Sequence, residues 1–201
     1  MTPDDLRAGL LGHPKWDWLV AAEAHVRADP DAVATLFARA ERTLGRDPLP
    51  GRPQWTSGRA GRALLLVALA RTPDRVDRIT TVYTQGDTAE RIAVLQALPM
   101  LPIGAAAAPL LHDALRTNDA RLVAAALGPY AAHLDQPSWR QGVVKCVFMG
   151  IPLDAVDRLD ERADAGLAAM LAALAEERTA AGRAVPDDAL ALLHRLTESA
   201  S

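Results

Sequence analysis

Thiol chemistry is almost absent from this chain: Cys146 is its one cysteine. No internal disulfide and no cysteine metal cluster can be assembled, so nothing calls for an oxidising compartment. Aromatic residues are few as well, 4% of 201 residues, and Val, Ile and Thr never fall into alternating runs. Both absences count against a sheet-based fold. No basic run exists either. The 22 Lys and Arg are outnumbered by 25 Asp and Glu for a net charge of −3, with the signs mixed along the chain. That argues against a nucleic-acid surface, including one of the helical-repeat DNA glycosylase type. There is no G-x-S-x-G, no H-E-x-x-H, no Gly-rich phosphate loop after a strand and no Cys/His zinc spacing. No metal or cofactor is expected.

Long hydrophobic runs are missing but for one. Ile92 to Leu111 holds only Gln96 as a strongly polar residue and approaches the length of a membrane span. Pro99, Pro102, Gly104 and Pro109 interrupt it, which predicts two buried helices with an elbow between them and no transmembrane segment. The segment MTPDDLRAGLL is acidic and lacks a long apolar core, so it does not read as a signal peptide. A cytoplasmic protein is expected.

What the chain has in abundance is alanine, 41 residues, within a composition that is 50% hydrophobic. This favours helix. Thr2-Pro3, Asp29-Pro30 and Thr72-Pro73 place a capping residue before a proline at the first helical position. Asp87 with Glu90 forms a capping box, Asp135 caps through Ser138, and Gly45 and Gly182 stand where helices end. Helices are predicted near 3–11, 14–27, 29–43, 58–71, 73–85, 88–98, 105–116, 119–132, 137–149, 163–181 and 187–197, with no sheet. Those near 58–71, 88–98 and 119–132 are apolar on nearly every side and alternate with polar-faced ones, as stacked helix pairs require. RIAVLQALP at 91–99 also matches RLVAAALGP at 121–129 in its Arg, apolar run and Pro. The expected fold is all-α, a HEAT-like solenoid of stacked helix pairs, with an irregular helical bundle as the alternative. An N-terminal helical cap (1–44), a proline-rich extended linker (45–57) and a helical-repeat body (58–201) are expected within one domain overall.

The stretch from Arg116 to Leu153 is nearly all apolar, yet Asn118, Tyr130, His133, Gln141 and Lys145 are set into it. Buried without partners, such groups cost about 1–3 kcal/mol each. Gln141 and Lys145, four apart, share one helix face beside Val144 and Phe148, while the opposite face carries Trp139, Val143, Cys146 and Val147. Both faces are largely apolar, so this helix is expected to be buried. Lys145 then either pairs with a carboxylate, Asp135 or Asp119, or lines a pocket. The chain uses 20 Arg and only two Lys, Lys15 and Lys145, so Lys145 suits a site that needs a compact ammonium or an amine able to lose its proton. Asn118 reads as the cap of a helix beginning at Asp119, or else as a ligand contact. Tyr130 reads as a packed ring at a helix end, and His133 as a surface turn residue. His112 and Asp113 read as facing outward, Trp16 and Trp18 as core, and Cys146 as an inert core thiol. Val123, Ala126, Leu127, Val143 and Val147 are expected in the core.

TN at 117–118, PY at 129–130, WRQ at 139–141 followed by VVKCVF at 143–148, GIPL at 150–153 and LDERAD at 159–164 together resemble the EboA family. The resemblance is clearest over 86–182; upstream it rests on WTSGRAGRALLL at 55–66. Arg140 departs from it, since many relatives carry Asn there. The family is associated with a bacterial gene cluster for metabolite traffic, linked in cyanobacteria to moving a scytonemin precursor out of the cytoplasm. The cluster's neighbours include a UbiA-like membrane prenyltransferase, a sugar-phosphate cyclase-like protein and a TatD-like hydrolase. The resemblance implies a non-catalytic protein that binds a small metabolite or a partner protein, with that prenyltransferase as a candidate partner. The competing reading from the residues is an enzyme using Lys145 as Schiff-base nucleophile or general base, with Gln141 orienting the substrate. The candidate binding residues are Asn118, Tyr130, Gln141 and Lys145, with no catalytic residue assigned.

Overall fold

In the computed structural model, residues 1–70 and 72–198 are described; the expected helix end at 71 and the chain end at 199–201 lie outside them. The chain divides into two compact units, Met1–Leu110 and Leu111–Ser201. The described residues form an all-α protein with one short hairpin, and no helix among them is long and apolar enough to cross a membrane.

The first unit begins with α1 (Pro3–Leu10), α2 (Trp16–Ala28) and α3 (Val33–Leu44). Thr2 caps α1 in a capping box with Asp5, with Pro3 at the first helical position. Asp29 caps a 3-10 turn at Pro30–Ala32 that runs into α3. On α3, Val33, Phe37, Ala40 and Leu44 are buried, an apolar stripe at helical spacing. Trp16 and Trp18 are only half-buried.

The expected linker is where the structure departs most from the sequence reading. β1 (Pro48–Leu49) and β2 (Arg52–Thr56) pair antiparallel, and Leu49 and Trp55 are buried. Two large apolar side chains draw the segment onto the unit, and the backbone then satisfies its polar groups as a ladder. An extended surface linker and a fold without any sheet are thus both corrected.

Next come α4 (Ser57–Ala68), α5 (Arg75–Gln85) and α6 (Thr88–Ala97). α4 packs on α1, α2 and α3 and is buried along most of its length. Gly58 permits the close approach: a Cβ there would lie 2.7 Å from both Glu41 Cα and Gly45 O. One turn on, Arg62 is 4% exposed. Its Nε donates to Phe37 O (3.1 Å), its Nη1 to Glu41 Oε2 (2.7 Å) and its Nη2 to Glu90 Oε1 (3.3 Å), so three helices share one guanidinium. Glu90 also closes the expected capping box with Asp87. α5 starts later than Thr72-Pro73 suggested, with Asp74 in the cap position.

The proline-broken apolar stretch does form two helices with an elbow. α6 passes into a 3-10 turn at Leu98–Met100, and α7 (Ala108–Arg116) follows. The matching segment behaves alike locally: α8 (Ala120–Ala126) passes into a 3-10 turn at Pro129–His133. The helix expected over 119–132 is therefore shorter, and Tyr130 lies in the turn, not at a helix end.

The second unit continues with α9 (Gln136–Met149), α10 (Leu159–Arg162), α11 (Ala165–Ala180) and α12 (Asp187–Glu198). α10 was not expected; four residues are too few to show a period. Val123, Ala126, Leu127, Val143 and Val147 are all in the core, none more than 2% exposed. Below α9 lies a polar network. Arg140 Nε donates to Asp164 Oδ1 (2.9 Å) and Gln136 Nε2 to Asp164 Oδ2 (3.0 Å). Arg162 donates to Ala131 O and Leu134 O and sits 4.7 Å over the Trp139 ring. Asp164 also caps α11 through Leu167 N. The Arg140 guanidinium beside it and these N–H donors hold its carboxyl well below the usual carboxylate range.

Candidate functional site

Two helices set the site, α7 and α9, and Gly142 lets them meet. A Cβ at Gly142 would lie 3.0 Å from Leu127 Cδ2 and 3.2 Å from Leu115 Cδ2. With hydrogen in that place, the leucines pack against the α9 backbone. The C-terminal carbonyls of a helix have no intrahelical donor, and two side chains supply donors to α7. Thr117 Oγ1 donates to Ala114 O (2.8 Å) and Lys145 Nζ to Leu115 O (2.7 Å). A cation at a helix C-terminus also meets the negative end of the macrodipole.

Lys145 therefore has a partner the sequence did not suggest. Neither Asp135 nor Asp119 pairs with it: among the described residues no carboxylate lies within 4 Å of its Nζ, while Asp119 binds Arg121 and Asp135 binds Ser138. The expected burial of α9 on both faces is corrected as well. Gln141 and Phe148 are exposed, Phe148 by 60%, and Lys145 is half-buried.

Between the helices lies a groove of about 240 Å³, lined by His112, Leu115, Arg116, Ser138, Gln141, Gly142 and Lys145. Of the four expected site residues it brings together Gln141 and Lys145. Asn118 is exposed in the α7–α8 turn and does not cap α8; Asp119 does, accepting from Arg121 N (2.9 Å). Tyr130 is buried, its ring edge-on to His133 at 4.6 Å, and is not part of the groove lining.

Three polar lining residues were not read as site residues in the sequence: His112, taken as outward-facing, Arg116, and Ser138, taken as the partner of the Asp135 cap. Their spacing held the signal. His112 and Arg116 are four apart on α7; Ser138, Gln141 and Lys145 fall three and four apart on α9, so each set shares a face.

The groove wall carries Lys145, Arg116 and His112, and no carboxylate. The nearest acids are committed: Asp113 Oδ1 accepts from Arg116 (3.1 Å), and Asp135 accepts from the Ser138 N–H and hydroxyl, which hold its carboxyl below its ordinary range. Cys146, buried behind the same helix, is pushed up to about 12 by burial, so it offers no thiolate at neutral pH. Among the described residues no group of His, Cys, Asp and Glu could hold a metal ion.

The model of a protein family described as Metabolite traffic protein EboA matches residues 36–194, a stretch that contains the whole groove. No curated protein matches the chain, and no solved structure does.

Proposed function

We propose that this chain, which belongs to the EboA family, serves metabolite traffic by holding the anionic end of a small metabolite in the α7/α9 groove, without catalysing a reaction. The observation that supports this reading is the sign of the groove. The chain carries a net charge of −3. One other groove sets Arg42, Arg46 and Arg62 against Glu41, Asp87 and Glu90; another sets Arg158 and Arg195 against four acids. The α7/α9 groove has cations in its wall and no acid. An ammonium has three N–H donors, and Leu115 O takes one from Lys145. The cation is thus held in place with donors to spare, which lowers the ordering cost of binding.

The same reading places the protein in the cytoplasm. It takes the helices as stacked pairs of the HEAT-like kind, and a UbiA-like membrane prenyltransferase as the partner that receives the metabolite. Titration with acetate and with inorganic phosphate at low ionic strength, followed by amide NMR, tests the groove. Saturable shifts centred on Arg116, Gly142 and Lys145, absent in Lys145→Met, are expected. No saturable shift with either anion, or shifts unchanged in Lys145→Met, refutes the reading. A borohydride-trapped adduct on Lys145 after incubation with carbonyl compounds would replace it with Schiff-base catalysis.

A further inference from the structure

Resting on the anion reading above, we infer that the groove selects carboxylates bearing an oxygen on the adjacent carbon, as 2-oxo and 2-hydroxy acids do, and that Gln141 makes the selection. Size sets the first limit. A water's share of liquid volume is about 30 Å³, so a groove of about 240 Å³ has room for a short acid or the end of a longer one. It is smaller than the roughly 300–1,000 Å³ of pockets that enclose drug-sized ligands.

The hydrogen-bond inventory sets the second limit. The Ser138 hydroxyl gives its one proton to Asp135 Oδ2 (2.8 Å), so towards a ligand it can only accept. Arg116 gives one of its five N–H donors to Asp113 (3.1 Å), and those it keeps are charged. Lys145 keeps N–H donors for an anion after the bond to Leu115 O. Gln141, exposed one turn away, makes no side-chain hydrogen bond among the described residues. Its amide and the His112 imidazole are the lining groups with a neutral donor to give, and of the two only Gln141 lies one turn from Lys145 on the same helix. Side chains at i and i+4 have Cβ atoms about 5–6 Å apart, so an acid on Lys145 presents its neighbouring oxygen to Gln141. A plain carboxylate leaves that amide to water. Inorganic phosphate has no carbon-borne oxygen beside its charged group. Recognition is non-covalent; no bond forms or breaks.

Calorimetric titration of the wild type, Gln141→Leu and Lys145→Met with butanoate, 2-oxobutanoate and inorganic phosphate tests this. One net hydrogen bond corresponds to a preference of about three- to tenfold for 2-oxobutanoate over butanoate in the wild type. Gln141→Leu should bind both acids alike, at the wild-type affinity for butanoate, and Lys145→Met should lose both. Equal binding of the two acids by the wild type, or a preference that survives Gln141→Leu, overturns this inference and leaves the anion reading standing. Tighter binding of phosphate than of either acid overturns the carboxylate class. Absence of saturable binding of all three overturns the anion reading itself.

Discussion

Replacing Lys145 by Met asks the groove what its lysine does for the fold. The variant keeps an unbranched apolar stem and nearly the same helix propensity, so the ammonium is the main loss. With it go the hydrogen bond to Leu115 O at 2.7 Å and the cation at the C-terminus of α7. A hydrogen bond from a charged donor is worth about 1.5–3 kcal/mol when nothing replaces it, and a cation at a helix end about 0.3–1 kcal/mol. Lys145 is half-buried, so water can reach the freed carbonyl and recover part of this. The expected net loss is about 1–2 kcal/mol. In a chain of this size that lowers Tm by about 2–4 °C per kcal/mol. Breaking a buried ion pair would cost more, about 3–5 kcal/mol. Urea denaturation and thermal melts of the wild type, Lys145→Met and Lys145→Arg measure the difference, with the Arg variant expected between the other two. A loss above about 3 kcal/mol would mean a carboxylate partner; no loss at all would mean that the contact with Leu115 contributes nothing. Either result refutes the helix-capping role.

Three further outcomes are expected. Gly58→Ala should destabilise by about 1–3 kcal/mol although alanine is the better helix former, because its Cβ would stand 2.7 Å from backbone atoms of Glu41 and Gly45; a rise in Tm would show that α3 and α4 have room to part. Asp164 has a carboxyl held below its unfolded value, so its contribution is present above about pH 4 and is lost as pH falls through the folded value. Asp164→Asn should therefore flatten the acid limb of the stability curve, and an unchanged limb would remove Asp164 from the acid response. Cys146, buried with its thiol at about 12, should not react with a disulfide reagent near pH 8 in the native protein and should react once on denaturation; rapid native labelling contradicts its burial.

Local chemistry was the legible part of this chain. The cap at Thr2 before Pro3, the capping box at Asp87 and the cap at Asp135 depend on residues one to three apart, so the sequence displays them whole. Asn118 and Asp119 are both good caps side by side, and propensity alone does not choose; the backbone places Asp119 in the cap position. The hairpin was hidden by Pro48, Pro50 and Pro53, which read as a linker, although Leu49 and Trp55 are large apolar residues that a solvated linker does not call for. In the groove, the faces carrying His112 with Arg116 and Gln141 with Lys145 are readable from spacing. That those two faces meet is a tertiary fact. The partner of Lys145 is a backbone carbonyl 30 residues away, and because every residue has a carbonyl, such a bond leaves no mark on residue types.

Arg62 has a consequence for how the first unit comes apart. Its guanidinium binds Phe37 and Glu41 on α3 and Glu90 on α6 while its own backbone belongs to α4. If any one of these helices frays, the arginine or a carboxylate is left desolvated and unmatched, so partial opening is penalised at all three places together. Local unfolding should therefore be suppressed in favour of one cooperative event. The amides of α3, α4 and α6 around this residue should then exchange with solvent deuterium at a common rate, as a single foldon.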